Sequence, residues 1–200
     1  MKNIKGDNMS INYEYEKQFL KDYLKSLKLF KPILYRKVNR TGLLSRVIGE
    51  HFGIVDDDFI LAGYYANLGL AALTKFVENS EHLTQEQFEQ VKRHPILSYE
   101  FLMQKGLEKV ANIVYYHHEL PDGSGYFKET KYPIESAYVN IADTFEGLIS
   151  PKNYRPPHTF KEAVTLSLRP YKNGMLISKE ELKNIEEILR AFYYEVLESL

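Results

Sequence analysis

Residues 115–127 read YYHHELPDGSGYF, two adjacent histidines and a carboxylate set immediately before a loop carrying two glycines. Upstream, Leu107, Val110, Ala111 and Val114 recur at helical spacing, and His118 continues that stripe by four residues. His117 follows about 100° around an ideal helix. Both rings therefore fall at a helix end, where the chain turns into Glu119 and the glycines. Imidazoles there can ligate a divalent metal through one nitrogen while a neighbouring acceptor, Glu119 or Asp122, holds the other. They can equally cap helix carbonyls and complement the dipole. Asp122-Gly123 and Ser124-Gly125 permit positive φ and expose backbone N–H groups that could approach a phosphate, although a plain surface turn reads the same way.

Outward from this stretch, helical spacing dominates. Apolar residues recur at three and four positions over 15–30, 43–52, 58–72, 84–103, 107–118, 134–149 and 179–197, and strand alternation is nearly absent. Thr84 with Glu86 and Gln87, and Ser178 with Glu180 and Glu181, resemble helix N-caps with acidic first turns. Gly106 is placed to end one helix in a left-handed conformation. Breaks fall at Pro32, Gly53, Gly106, 121–125, Pro133, 151–157 and Gly174. The expected fold is all-α: a bundle of seven or eight helices over 39–200 behind an N-terminal helical extension, 1–38, with longer loops at 119–133 and 150–158.

Bulk properties exclude several classes. With 44% hydrophobic and 26% charged residues, the chain is ordinary globular material. No cysteine is present, which removes disulfides, thiolate ligands and cysteine nucleophiles. A net charge of -1 gives no global pull toward nucleic acid, and ten Lys/Arg against four Asp/Glu in residues 1–40 sit within an amphipathic pattern that reads as a solvated helix face. Neither a signal-type apolar core nor a membrane-length apolar run occurs, so a cytoplasmic location is expected, with Met9 as an alternative start to Met1.

The stretch HHELPDGSGYF resembles the signature of the HD-GYP domain, a branch of the HD phosphohydrolases, with Phe127 where that signature has proline. The resemblance extends over roughly residues 40–170. LTQEQFEQVKRHPILSYEFL resembles the segment with a helix-borne His-Pro, which makes His94 the counterpart of a metal-ligand histidine. YPIESAYVNIADTFEGLISPKNYR resembles the helix ending in an Ala-Asp ligand, here Asp143, followed by a basic stretch. By periodicity alone, Asp143 shares a polar stripe with Asn140 and Gly147 and would face solvent.

The resemblance implies an HD-domain bundle, a multinuclear metal site and hydrolysis of cyclic di-GMP. It also exposes what this chain has replaced. Where a stretch like LLHDIGK is expected, residues 64–70 read YYANLGL, putting Ala66 and Asn67 at the His-Asp pair and Leu70 at the lysine. In LLSRV, Leu43 falls at an earlier histidine ligand and Asn39 at a glutamate ligand. His94, His117, His118 and Asp143 remain, enough for one weakly held divalent metal (Mn, Fe or Mg) but too few for a bridged site, and no cofactor is required.

Lys152 and Arg155 align with phosphate-gripping residues, and Tyr126 would supply a ring near the ligand. The expectation is a non-catalytic module, a pseudoenzyme that binds cyclic di-GMP or a protein partner such as a diguanylate cyclase domain. A residual phosphodiesterase is the first alternative. The second is a scaffold associating, for example as a homodimer, through aromatics such as Tyr64-Tyr65, Tyr115-Tyr116 and Tyr193-Tyr194.

Overall fold

The computed structural model describes residues 11–73, 83–151 and 155–198. Lys152, Met9 and the leader before it lie outside them. Among the described residues the chain forms α-helices and two short 3-10 turns, without strands. The all-α expectation is met.

Helix α1 (Tyr13–Phe30) starts where Asn12 accepts from the Tyr15 N–H, and it buries Glu16, Leu20 and Leu27. Pro32 separates it from the next helix but also opens that helix, because a missing N–H costs nothing in a first turn. Helix α2 (Pro32–His51) then runs unbroken through residue 38, where the sequence suggested a boundary. Its buried Leu34 and Val38 pack with Leu27 of α1 and with Leu70, while Leu44 and Ile48 join the core shared with α3 (Asp57–Tyr65) and α7 (Ile134–Ile149).

The segment expected as one helix over 84–103 is two: α4 (Gln85–Val91) and α5 (His94–Gln104). Pro95 supplies the reason, since its ring cannot donate to, and crowds, the carbonyl four residues back. Gly106, at φ +75°, ends α5 as anticipated and releases the chain into α6 (Glu108–Tyr115). Residues 58–72 likewise divide into α3 and a 3-10 turn, Leu68–Leu73.

Helix α7 is the central element. Tyr138, Ile141 and Phe145 are buried on one side, and Asn140, Asp143 and Glu146 are buried on the other. The solvent-facing reading of Asp143 is corrected: neighbours cover both faces of α7, so polarity no longer marks the outside. Helix α8 (Phe160–Leu168), absent from the expected segments, begins at a reciprocal cap between Thr159 and Glu162. Helix α9 (Lys179–Glu198) packs against α2 and α8 through Leu182, Ile185 and Leu189.

The paired tyrosines divide between core and surface. Tyr65 is fully buried, whereas Tyr194 is 54% exposed. No helix among the described residues is long and apolar enough to cross a membrane.

Candidate metal centre

The three histidines converge because two breaks in helical hydrogen bonding fix their rings. Pro95 has no N–H to give the Val91 carbonyl, and that carbonyl instead accepts from His94 Nδ1 at 2.8 Å. At the end of α6, the Val114 carbonyl accepts from His117 Nδ1 at 2.6 Å. A carbonyl can only accept, so both Nδ1 atoms carry the proton and both Nε2 atoms present lone pairs. Those Nε2 atoms face one another at 3.2 Å. Two lone pairs so close repel unless a cation lies between them.

A proton is a poor candidate for that cation. Burial, reinforced by the neighbouring His117 charge, pulls His94 down to about 3. Burial also lowers His117, and lowers His118 strongly with help from the other two rings. The cluster is therefore three neutral imidazoles whose ligand atoms lie within 4.8 Å of one another. Such a set fits one divalent metal, held by His94, His117 and His118, that would polarise a phosphate oxygen or a bound water.

The expected acceptors Glu119 and Asp122 do not hold these rings. Fully buried, Glu119 takes the Phe127 N–H at 2.8 Å on one oxygen and the Glu129 N–H at 2.7 Å on the other. Asp122 binds Ser124 through its amide and hydroxyl. Of the two glycines Gly123 alone has positive φ, 74°, while Gly125 is required for contact: a Cβ there would lie 2.5 Å from Glu119 Cα. The amides of 123, 124, 126, 127 and 129 are all engaged within the loop, so they form no phosphate cradle.

The loop's product is the placement of Tyr126. Its ring stacks on His118 with centroids 4.4 Å apart, and Lys92 lies 5.7 Å over its centroid. Behind the cluster, Asn140 donates to the His117 carbonyl at 2.8 Å and accepts from the Tyr171 hydroxyl at 2.8 Å. Tyr171 did not stand out in the sequence, and Asn140, read there as part of a solvent-facing stripe with Asp143, is instead buried.

Asp143 completes the centre from α7. Its Oδ2 lies 3.9 Å from His118 Nε2. Its Oδ1 is crowded with donors: Asn67 Nδ2 at 2.5 Å, Lys37 Nζ at 2.8 Å and Thr41 Oγ1 at 3.3 Å. Burial opposes the charge on Asp143, but the Lys37 ammonium outweighs it and holds the carboxyl well below its usual range, with His118 and His117 adding to this only where they are protonated.

On α2, the residues that reach Asp143 are Lys37 and Thr41, two positions before the Asn39 and Leu43 singled out by sequence; Leu43 is 41% exposed. Ala66 is buried without a ligand atom, and Leu70 packs with Leu27, Leu34 and Val38. A second cation bridged to the first does not fit this donor set.

Arg155 turns toward the C-terminal end of α7, donating to the carbonyls of Gly147, Leu148 and Pro156 at 2.8, 3.2 and 3.0 Å. Beside His118 and Tyr126 lies a cleft of about 210 Å³, also lined by Leu120, Asn140 and Ser167.

A family model described as HD domain matches residues 27–188. A cyclic di-GMP phosphodiesterase of Thermotoga maritima is 30% identical over 164 residues, covering 75% of this chain and 44% of the relative. The cyclic di-GMP phosphodiesterase response regulator RpfG of Xanthomonas campestris pv. campestris is 28% identical over 153 residues, covering 68% and 40%. The chain thus spans less than half the length of these curated relatives. Among solved structures, the PgpH phosphodiesterase HD domain of L. monocytogenes superposes with TM-score 0.66 at 18% identity, covering 87% of this chain and 98% of that one. An HDG"Y"P protein from Bdellovibrio bacteriovorus gives 0.60 at 16% identity, covering 89% and 63%. At these identities the structural neighbours speak for the fold alone.

Proposed function

The chain belongs to the HD domain family, and from that premise we propose that it is a non-catalytic, HD-GYP-like module of cytoplasmic cyclic di-GMP signalling. The observation that carries this reading is the Asn67 amide, which donates to Asp143 Oδ1 at 2.5 Å. An aspartate at this position would bring an anionic oxygen able to bridge two cations and favour ionisation of a metal-bound water. An amide brings N–H groups, and with Ala66 beside it no bridging pair can be assembled. One metal on the three histidines remains compatible with holding a phosphodiester without cleaving it.

The nucleotide would approach through loops 119–133 and 150–158. A cleft of about 210 Å³ is smaller than the roughly 300–1,000 Å³ typical of drug-sized ligand sites, so it takes one base or one phosphate rather than a whole cyclic dinucleotide. Tyr126 would stack on a purine. A charge for phosphate would come from Lys152, which lies outside the described residues, while Arg155 is engaged with the carbonyls of Gly147 and Leu148.

Calorimetric titration of chelator-treated protein with cyclic di-GMP, without and then with manganese, followed by chromatography for linear product, tests the proposal. Micromolar binding without product is expected. Manganese-dependent product would overturn it, and an absence of heat would replace the nucleotide with a protein partner such as a diguanylate cyclase domain.

A further inference from the structure

Asp143 and Glu146 lie one turn apart on α7, both almost fully buried, at 5% and 1% exposure. Two adjacent buried carboxylates are costly unless positive charge joins them. One Glu146 oxygen accepts from Ser150 Oγ at 2.5 Å, while Oε2 has no hydrogen-bond partner. The charge that meets both carboxylates is the Lys37 ammonium, 2.8 Å from Asp143 Oδ1 and 3.9 Å from Glu146 Oε2. Its side chain is only 18% exposed.

We propose that the Lys37 ammonium stands in for a metal ion: it is a tethered cation that neutralises Asp143 and Glu146 and closes the carboxylate half of the centre to a second metal. This rests on the proposed reading of the site. Lys37 and Thr41 reach Asp143 from α2 with the i, i+4 spacing that the family resemblance assigned to a glutamate and a histidine. A cationic and a hydroxyl side chain thus fill the place where an anionic and an imidazole ligand were expected. That exchange turns two donors toward Asp143 instead of two ligands toward a metal.

Magnesium distinguishes the two halves of the centre, because it prefers oxygen ligands and engages imidazole poorly. Thermal melts of the full chain, Lys37→Met and Lys37→Met/Asp143→Asn are recorded in chelator and in millimolar magnesium. Lys37→Met is expected to melt several degrees lower in chelator and to regain about 5 °C or more in magnesium, while the unaltered chain does not respond. The double variant is expected to recover stability without magnesium, because one of the stranded charges is gone. If Lys37→Met melts normally, or if both variants fall alike and magnesium restores neither, Lys37 is only a packing element and the proposal is overturned. None of these readouts involves nucleotide hydrolysis, so this proposal and the non-catalytic reading can fail separately.

Discussion

Glu119→Gln tests whether the glycine loop is held from beneath. The carboxylate takes two backbone N–H groups, Phe127 at 2.8 Å and Glu129 at 2.7 Å, and these flank Tyr126, the residue stacked on His118. Glutamine keeps the shape but has one acceptor oxygen. Its NH₂ group must face the other N–H, donor against donor, in a fully buried position. Losing one charge-assisted bond is worth roughly 1.5–3 kcal/mol, and an unsatisfied buried amide costs about 1–3 kcal/mol, partly offset because a buried charge is removed. A net cost of about 2–4 kcal/mol is expected. If the loop opens on its own, that cost appears locally, as hydrogen exchange at the Phe127 and Glu129 amides accelerated by roughly 30-fold or more. Exchange resolved by NMR reads it directly, with urea denaturation reporting any global part. Exchange within threefold of the unaltered chain, together with an unchanged urea midpoint, would refute Glu119 as the anchor.

Three further outcomes follow from the same geometry. In chelator-treated protein, stability should fall as pH drops below about 6.5: His94 titrates near 3 when folded and near its ordinary value when unfolded, so the unfolded chain binds the extra proton in that window. The slope is up to about 1.4 kcal/mol per pH unit for each such histidine, and urea midpoints that stay level between pH 7 and 5 would contradict the neutral cluster. Asn140→Leu should cost about 2–4 kcal/mol, because it strands the His117 carbonyl and the Tyr171 hydroxyl, and Tyr171→Phe should cost less; additive losses in the double variant would show that the two do not act through one network. Gly125→Ala should destabilise by about 1–3 kcal/mol and weaken the near-ultraviolet tyrosine signal, since its Cβ meets Glu119 Cα at 2.5 Å; an unaltered signal and melt would mean the loop yields freely.

Where the sequence reading succeeded, the signal was local. Thr84, Ser178 and Gly106 each act on amides or carbonyls within a few residues, and each does so in the structure. Where it failed, the evidence was either passed over or distant. Pro95 lay inside a continuous apolar pattern, yet its missing N–H divides the helix and frees the carbonyl that orients His94. Thr159 and Glu162 carried a cap signature no weaker than that of Thr84 and Gln87. Asp143 was misplaced by periodicity because amphipathic analysis assumes one wet face, and α7 has none through its middle. Lys37 was invisible in principle: among scattered lysines of a basic helix it reads as solvated, and its partner is more than a hundred residues away.

The two halves of the centre solve one electrostatic problem in opposite ways. The histidine half assembles buried lone pairs and holds no cation of its own, since burial keeps protons off the rings. The carboxylate half assembles buried negative charge and brings its own cation; burial opposes the charge on Lys37, but Asp143 and Glu146 outweigh it and raise its affinity for the proton. Thr41 and Asn67 add their donors on the same side. Among the described residues Asn67 Oδ1 and Glu146 Oε2 have no hydrogen-bond partner, and Oε2 is met by the Lys37 charge 3.9 Å away. The donors on Asp143 converge on a single oxygen, Oδ1, and Oδ2 remains turned to His118 at 3.9 Å. That division leaves Oδ2 free to face a metal on the histidines while a lysine holds Oδ1, the arrangement on which the proposed one-metal reading of this site rests.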